Sequence, residues 1–293
     1  MTTTSAPAPK EGGISYRGQQ LLNRIGTYVV LVFFALLFLM PMFWMLSTSL
    51  KPKSQWFTKD IYWIPKTTTL QNYQILLNNP TTPIVRWFIN SLAIALIVTL
   101  LVVIVDAMAA YAYARMEFRG CNTIFAILLA TLFMPGIMFL VPNFLTIFRL
   151  GLLNNYLGVI IPAMAGVFGV FFLRQFFATL PKDLEEAAAI DGASQVKVFT
   201  HVALPLARPA LATLAIITFL GSWNDFLWPL LILKDRALQT LPPGLRTLQG
   251  AYTSEYGQMM AGAVIAAVPV LLIYVLLQRY IVQSVATTGL AGQ

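Results

Sequence analysis

The chain has 293 residues, of which 58% are hydrophobic and only 10% charged, with a mean hydropathy of +0.74. A soluble domain carries roughly a quarter charged residues, so this composition excludes an ordinary wet globule and requires that apolar surface face lipid. The net charge of +8 comes from lysines and arginines dispersed between apolar runs, which excludes a nucleic-acid-binding stripe and reads as membrane-flanking anchors.

About 20 predominantly apolar helical residues cross a bilayer core. In chain order, residues 1–13 are rich in Thr, Ala, Pro and Gly and read as a disordered tail, part of an amino-terminal segment 1–24. Runs free of Asp, Glu, Lys and Arg then cover 25–50, 87–105, 120–148, 150–173, 209–224 and 256–278. The second continues past Asp106 to Tyr113, and the fifth past Asp225 to Leu233. The runs do not alternate apolar and polar residues, which excludes barrel strands. The expectation is an all-α integral membrane protein of six spans. Its first helix occupies 25–50 and is too long for a signal-peptide core. A polar loop follows over 51–86 and lies on the membrane surface, then a five-helix core over 87–281 that includes a charged loop at 174–208, and a tail over 282–293. An even number of spans puts both termini on one side, yet of the 19 Lys and Arg ten fall on that side and nine on the other. The positive-inside rule therefore does not orient the chain.

Several chemistries are excluded. Cys121 is the single cysteine and His201 the single histidine, so there is no intrachain disulfide and no metal cluster. No Gly-Lys dipeptide occurs, which removes the phosphate-binding loop of an ATPase, and no Ser/His/Asp arrangement supports catalysis.

The loop at 181–209 reads PKDLEEAAAIDGASQVKVFTHVALPLARP. Pro181 suits a first helical turn. Asp183, Glu185 and Glu186 put negative charge where the helix dipole favours it. Gly192 can take the left-handed conformation that ends a helix. Ser194 can cap a second helix, expected to run to Leu204 and stop at Pro205.

Glu186-Ala187-Ala188, three residues, Gly192, then Val202, Leu204 and Pro205 resemble the EAA signature of ABC importer permeases. Asn90-Ser91, Ala109-Ala110-Tyr111-Ala112 with Arg115, and Trp223-Asn224-Asp225 resemble the carbohydrate-uptake branch, the maltose-permease-like subunits. The resemblance covers about residues 86–293. It implies a type I ABC importer (MetI-like) permease fold in a bacterial-type cytoplasmic membrane, with both termini and the 174–208 loop cytoplasmic. It further implies that Glu186, Ala187, Ala188, Asp191, Gly192 and Pro205 belong to a loop that docks on an ATPase. The implied partners are two ATPase subunits holding ATP and Mg, a second permease (a homologous, non-identical one preferred), an extracytoplasmic solute-binding protein and a sugar. This chain itself would hold no cofactor and catalyse nothing.

Further residues carry two readings each. Asp106 inside the second span is either functional or hydrogen-bonded across a helix interface. Trp223, Asn224 and Asp225, with Trp228, either line a path for a hydroxyl-rich solute or pack helices. Met134-Pro135-Gly136 and Pro142 mark a kink or a gating hinge. Thr253 to Gly262 resemble the family's last outer loop, which reaches toward the binding protein. The tail Thr287–Gln293 resembles its Gly-containing ending but lacks the common Lys-Gly. A phosphorylated polyol such as glycerol phosphate is the alternative substrate. A proton-coupled secondary transporter using Asp106 and Asp225, and an enzyme acting on lipid-linked sugar, are the competing classes; the absent internal repeat and absent catalytic cluster speak against them.

Overall fold

The computed structural model describes residues 16–58, 60–248 and 255–290, with side chains described from 19 to 276 within them. The tail read as disordered over 1–13, Thr253 and Ser254 of the outer loop and residues 291–293 lie outside the described residues. All regular elements among the described residues are helical: α1 (Tyr16–Ser49), α2 (Gln71–Asn78), α3 (Ile84–Arg115), α4 (Cys121–Ala130), α5 (Leu140–Arg149), α6 (Tyr156–Ala163), α7 (Val167–Thr179), α8 (Lys182–Ile190), α9 (Gln195–Val198), α10 (Leu204–Leu206), α11 (Arg208–Trp223), α12 (Leu227–Ile232), α13 (Leu241–Arg246) and α14 (Tyr256–Leu290).

Helices α1, α3 and α14 are each long and apolar enough to cross a membrane, and three bent helix pairs bring the total to as many as six. The expected all-α fold is thus observed, with corrections. Helix α1 starts at Tyr16 rather than at residue 25, because no proline interrupts the residues between and the charge-free run does not mark a helix end. A charge-free run measures the bilayer, not the helix crossing it. The third span is not one helix: the segment Cys121–Phe133 meets Gly136–Arg149 at 99°. Its cause is Pro135, which drives Met134 into an extended conformation (ψ 126°) and removes a helical donor. The fourth span bends by 40° between α6 and α7. The loop over 51–86 contains a helix of its own, α2, held under the end of α1 by Asn72, whose Nδ2 donates to the Ser49 and Lys51 carbonyls at 2.8 and 2.9 Å.

Helix α3 is the centre of the bundle, packed against both α7 and α11. Trp87, Ile94, Ala95, Val98, Val102, Ala110 and Tyr111 are buried. With the buried Asn90, Ser91 and Asp106 they recur every three or four residues and so form one stripe. Ile89, Leu96, Leu100, Ile104 and Met108 on the opposite side are exposed, which in this setting means facing lipid or another subunit. The lower core joins Val102, Ala110, Leu173, Phe177, Ala210 and Leu214. The upper one joins Trp87, Ala95, Phe219, Trp223, Leu241 and Ala261.

Candidate coupling loop and translocation cavity

The charged loop folds as a helical hairpin hanging from the bundle. Pro181 precedes α8 in an extended conformation (ψ 127°), one residue ahead of the expected first turn. Asp183 and Glu185 lie in the first turn of α8, where the dipole favours acids. Gly192 ends the helix with φ +81°. The backbone N–H of Gly192 donates to Ala189 O and that of Ala193 to Ala188 O, both at 3.0 Å, which is the paired pattern of a Schellman cap. Asp191 is the last residue before this reversal. Ser194 caps α9, its hydroxyl accepting from Lys197 N–H at 3.4 Å.

Past that cap the expectation of one helix ending at Pro205 is corrected. Helix α9 ends at Val198, and Phe199–Ala203 widens into a π-helical turn. Pro205 then sits inside α10 rather than after it. Pro205 cannot donate to the carbonyl four residues back and its ring needs space there, so the widened turn accommodates it. The chain breaks at Ala207 instead, where α11 departs at 77°.

The two adjacent glutamates of α8 differ in exposure. Glu186 is exposed, as are Ala187 and Asp191, while Ala188 is half-buried. Glu185 turns inward and pairs with Arg115 at 2.9 Å, the side chains being only 15% and 6% exposed. Tyr111 donates its hydroxyl to Glu185 Oε2 at 3.1 Å, and Arg115 also donates to Leu180 O at 2.6 Å. Sequence reasoning saw Glu185 only as a dipole charge. Its partners stand about 70 residues earlier, and no local spacing announces them.

The second region is a cavity of about 230 Å³ lined by Ile94 and Val98 of α3, Val159 and Ala163 of α6, Thr218, Gly221 and Ser222 of α11, and Asp225, Pro229 and Thr240. Thr218 and Ser222 fall on one face of α11 at helical spacing, and Asp225 follows just past the end of that helix. Asp225 lines the cavity, and its Oδ1 accepts from Trp228 N–H in the first turn of α12 at 3.4 Å. Its two neighbours do not line it. Trp223 is 2% exposed, stacks on Phe219, meets Phe88 edge to face and donates Nε1–H to Ala266 O at 3.1 Å, so it packs α11 against α3 and α14. Asn224 is exposed and donates back to Leu220 O at 2.8 Å. Reading outward from Asp225 by three and seven residues would have found Ser222 and Thr218; Thr240 is brought in only by the tertiary fold.

Asp106 is fully buried. Its Oδ1 accepts the N–H of Gly166, at the start of α7, at 3.0 Å, and Oδ2 has no partner among the described residues. A carboxyl from α3 thus caps the helix beginning at the bend in the fourth span, which is the cross-helix reading of this residue.

Residues 119–287 match the family described as binding-protein-dependent transport system inner membrane component. The arabinooligosaccharides transport system permease protein AraQ of Bacillus subtilis (strain 168) is 34% identical over 273 residues, 92% of this chain and 96% of that protein. The sn-glycerol-3-phosphate transport system permease protein UgpE of Pectobacterium atrosepticum is 38% identical over 208 residues, 70% of this chain and 74% of that protein. A chain in the crystal structure of a bacterial ABC transporter involved in the import of the acidic polysaccharide alginate superposes with a TM-score of 0.81, at 24% identity, covering 92% of this chain and 99% of that one. The chain therefore belongs to the inner membrane components of binding-protein-dependent ABC transport systems, as a permease subunit and not an enzyme.

Proposed function

We propose that this permease moves a sugar, or a related polyol, inward across the cytoplasmic membrane, driven by ATP hydrolysis on two ATPase subunits that bind the ATP and Mg. In this reading a second, homologous and non-identical permease completes the pathway, and an extracytoplasmic binding protein delivers the solute. Both termini and the hairpin face the cytoplasm. The observation that carries the reading is the exposed α8, with Glu186 and Ala187 outward and its exit held by Gly192 at φ +81°. It is a short, small-surfaced, rigidly terminated helix suited to a groove on a partner. The cavity on the α11 face supports a path for the solute. Its lining residues offer hydroxyls and one carboxylate among apolar walls. Its volume is below the ~300–1,000 Å³ of self-sufficient ligand sites, in keeping with a wall that a second permease completes.

Glycerol phosphate is the alternative, supported by the 38% identity to the glycerol-phosphate permease. The cavity favours the sugar. Its ionisable lining residue is Asp225, and among the described residues no lysine or arginine lines it, so an anionic phosphate would be repelled there. The test is uptake into proteoliposomes holding the assembled transporter and binding protein, with neutral oligosaccharides and glycerol phosphate compared, with and without ATP. ATP-dependent accumulation of neutral sugar is expected. Accumulation driven by a proton gradient without ATP would refute the reading. Orientation is checked in a Cys121→Ser background: Ser194→Cys reacts with impermeant maleimide from the cytoplasmic side alone.

A further inference from the structure

Helix α3 is an unbroken rod of 32 residues, about 48 Å long at 1.5 Å per residue, in a bundle whose third and fourth spans are bent and whose fifth leaves the hairpin at 77°. Both of its ends are bolted to other segments. At the hairpin end, Arg115 and Tyr111 hold Glu185 of α8, and the Tyr111 ring packs edge to face on Phe177 at 5.6 Å and against Phe199 at 4.9 Å. At the far end, Asn90 Nδ2 donates to the carbonyls of Ala237 and Gln239 at 3.0 and 2.9 Å. Ser91 Oγ accepts from Leu241 N–H at 2.7 Å, and Trp87 Nε1 donates to Arg236 O at 2.6 Å. The segment so held, 236–241, contains Thr240, which lines the cavity and whose hydroxyl has no partner among the described residues.

We propose that α3 is a transmission rod, with the Arg115–Glu185 pair as its hairpin joint and Asn90–Ser91 as its cavity joint. This rests on the reading of α8 as the helix that ATPases displace. A push on α8 could otherwise be absorbed at Pro181, at Gly192 or in the π-helical turn. The ion pair short-circuits these compliant points, because its partners are nearly dry and an alternative geometry would leave a buried charge without its counter-ion. Displacement of α8 is then delivered along a helix that does not bend to a strand of backbone on the cavity wall. Glu185 and Arg115 are positioning residues: they touch neither solute nor ATPase. The adjacent glutamates divide two tasks, Glu186 meeting the partner and Glu185 passing the motion inward.

The test uses the assembled transporter in a Cys121→Ser background, with Thr240→Cys as reporter and ATP plus vanadate as the nucleotide trap. In the parent, trapping changes the alkylation rate of that thiol by about fivefold or more, the lower end of ordinary coupling. Glu185→Gln and Arg115→Met are expected to assemble and hydrolyse ATP while the thiol rate loses its response to trapping. The exchanged pair Arg115→Glu/Glu185→Arg restores part of it, which a merely structural loss would not do. Asn90→Leu, at the other joint, gives the same loss with the ion pair intact. A full parental response in Glu185→Gln and Arg115→Met would overturn the rod. If trapping leaves the thiol unchanged in the parent, the reading of α8 as an ATP-driven lever fails instead, and the two failures are distinct.

Discussion

Gly192 in the hairpin and Gly169 in the bundle are both glycines for which a larger residue is unsuited, and for opposite reasons. A Cβ on Gly192 would meet nothing within 4 Å, but the backbone there has φ +81°. Gly169 has no left-handed backbone and no room: a Cβ would run into Asp106 Oδ2 and lie 3.1 Å from Leu214 Cδ1. The hairpin is specified by dihedral angles and caps within a few residues. The bundle is specified by space between helices distant in sequence. Damage to the first should therefore disturb the aim of α8 while the bundle stays intact, and damage to the second should disturb the fold itself.

The largest effect is expected from Gly169→Ala, which forces α3 and α7 apart at a buried carboxyl and costs about 1–3 kcal/mol or more. Thermal unfolding of the detergent-solubilised protein measures it. Because the closest collision is with the Asp106 carboxyl, Asp106→Ala combined with Gly169→Ala should cost clearly less than the sum of the single changes; additivity would mean that the collision is relieved elsewhere.

Gly192→Val comes next, at about 1–2 kcal/mol of local backbone strain. Unfolding temperature should barely move, whereas uptake should be lost because the strain is escaped by re-aiming α8. Gly192→Asn, which tolerates the left-handed region, should retain uptake. Normal uptake in Gly192→Val would reduce the hairpin to a connector.

Asp225→Ala tests the cavity wall. Uptake is expected to fall about tenfold, equivalent to about 1.4 kcal/mol, with assembly and basal ATP turnover preserved. Loss of assembly would make Asp225 a packing residue like Trp223 beside it. The smallest effect belongs to Ser194→Ala, which removes the α9 cap at a cost of about 0.5–1 kcal/mol. It should show as faster hydrogen exchange over 195–198 with little change in uptake.

The hairpin was largely legible in the sequence. Gly192 as the reversal and Ser194 as the cap follow from local stereochemistry, and the order of acids, alanines and glycine carries its meaning wherever the chain goes. Pro205 was misread, since proline stops a helix only if the preceding turn stays α-helical, and here that turn widens. The site around the cavity was legible in part: Asp225 lines it, while Trp223 turns into the core. Trp223 is the last residue of α11, while Asn224 and Asp225 lie where the chain leaves the helix, so the three side chains do not share one wall.

What the sequence by itself determined is whatever depends on short-range chemistry or on bulk transfer to lipid. That covers the apolar spans, the polar hairpin between the fourth and fifth of them, and the position of the proline at which α4 gives way to α5. Tertiary structure alone decided which of two neighbouring glutamates turns inward, which residue of 223–225 faces the cavity, and that Asp106 caps α7. It also decided that Thr240 completes a wall with Thr218 and Ser222. Each of these depends on the rotation of one helix against another. That rotation is set by packing along the whole length of α3, α7 and α11, to which every buried side chain contributes a little and no motif contributes enough to be read in advance.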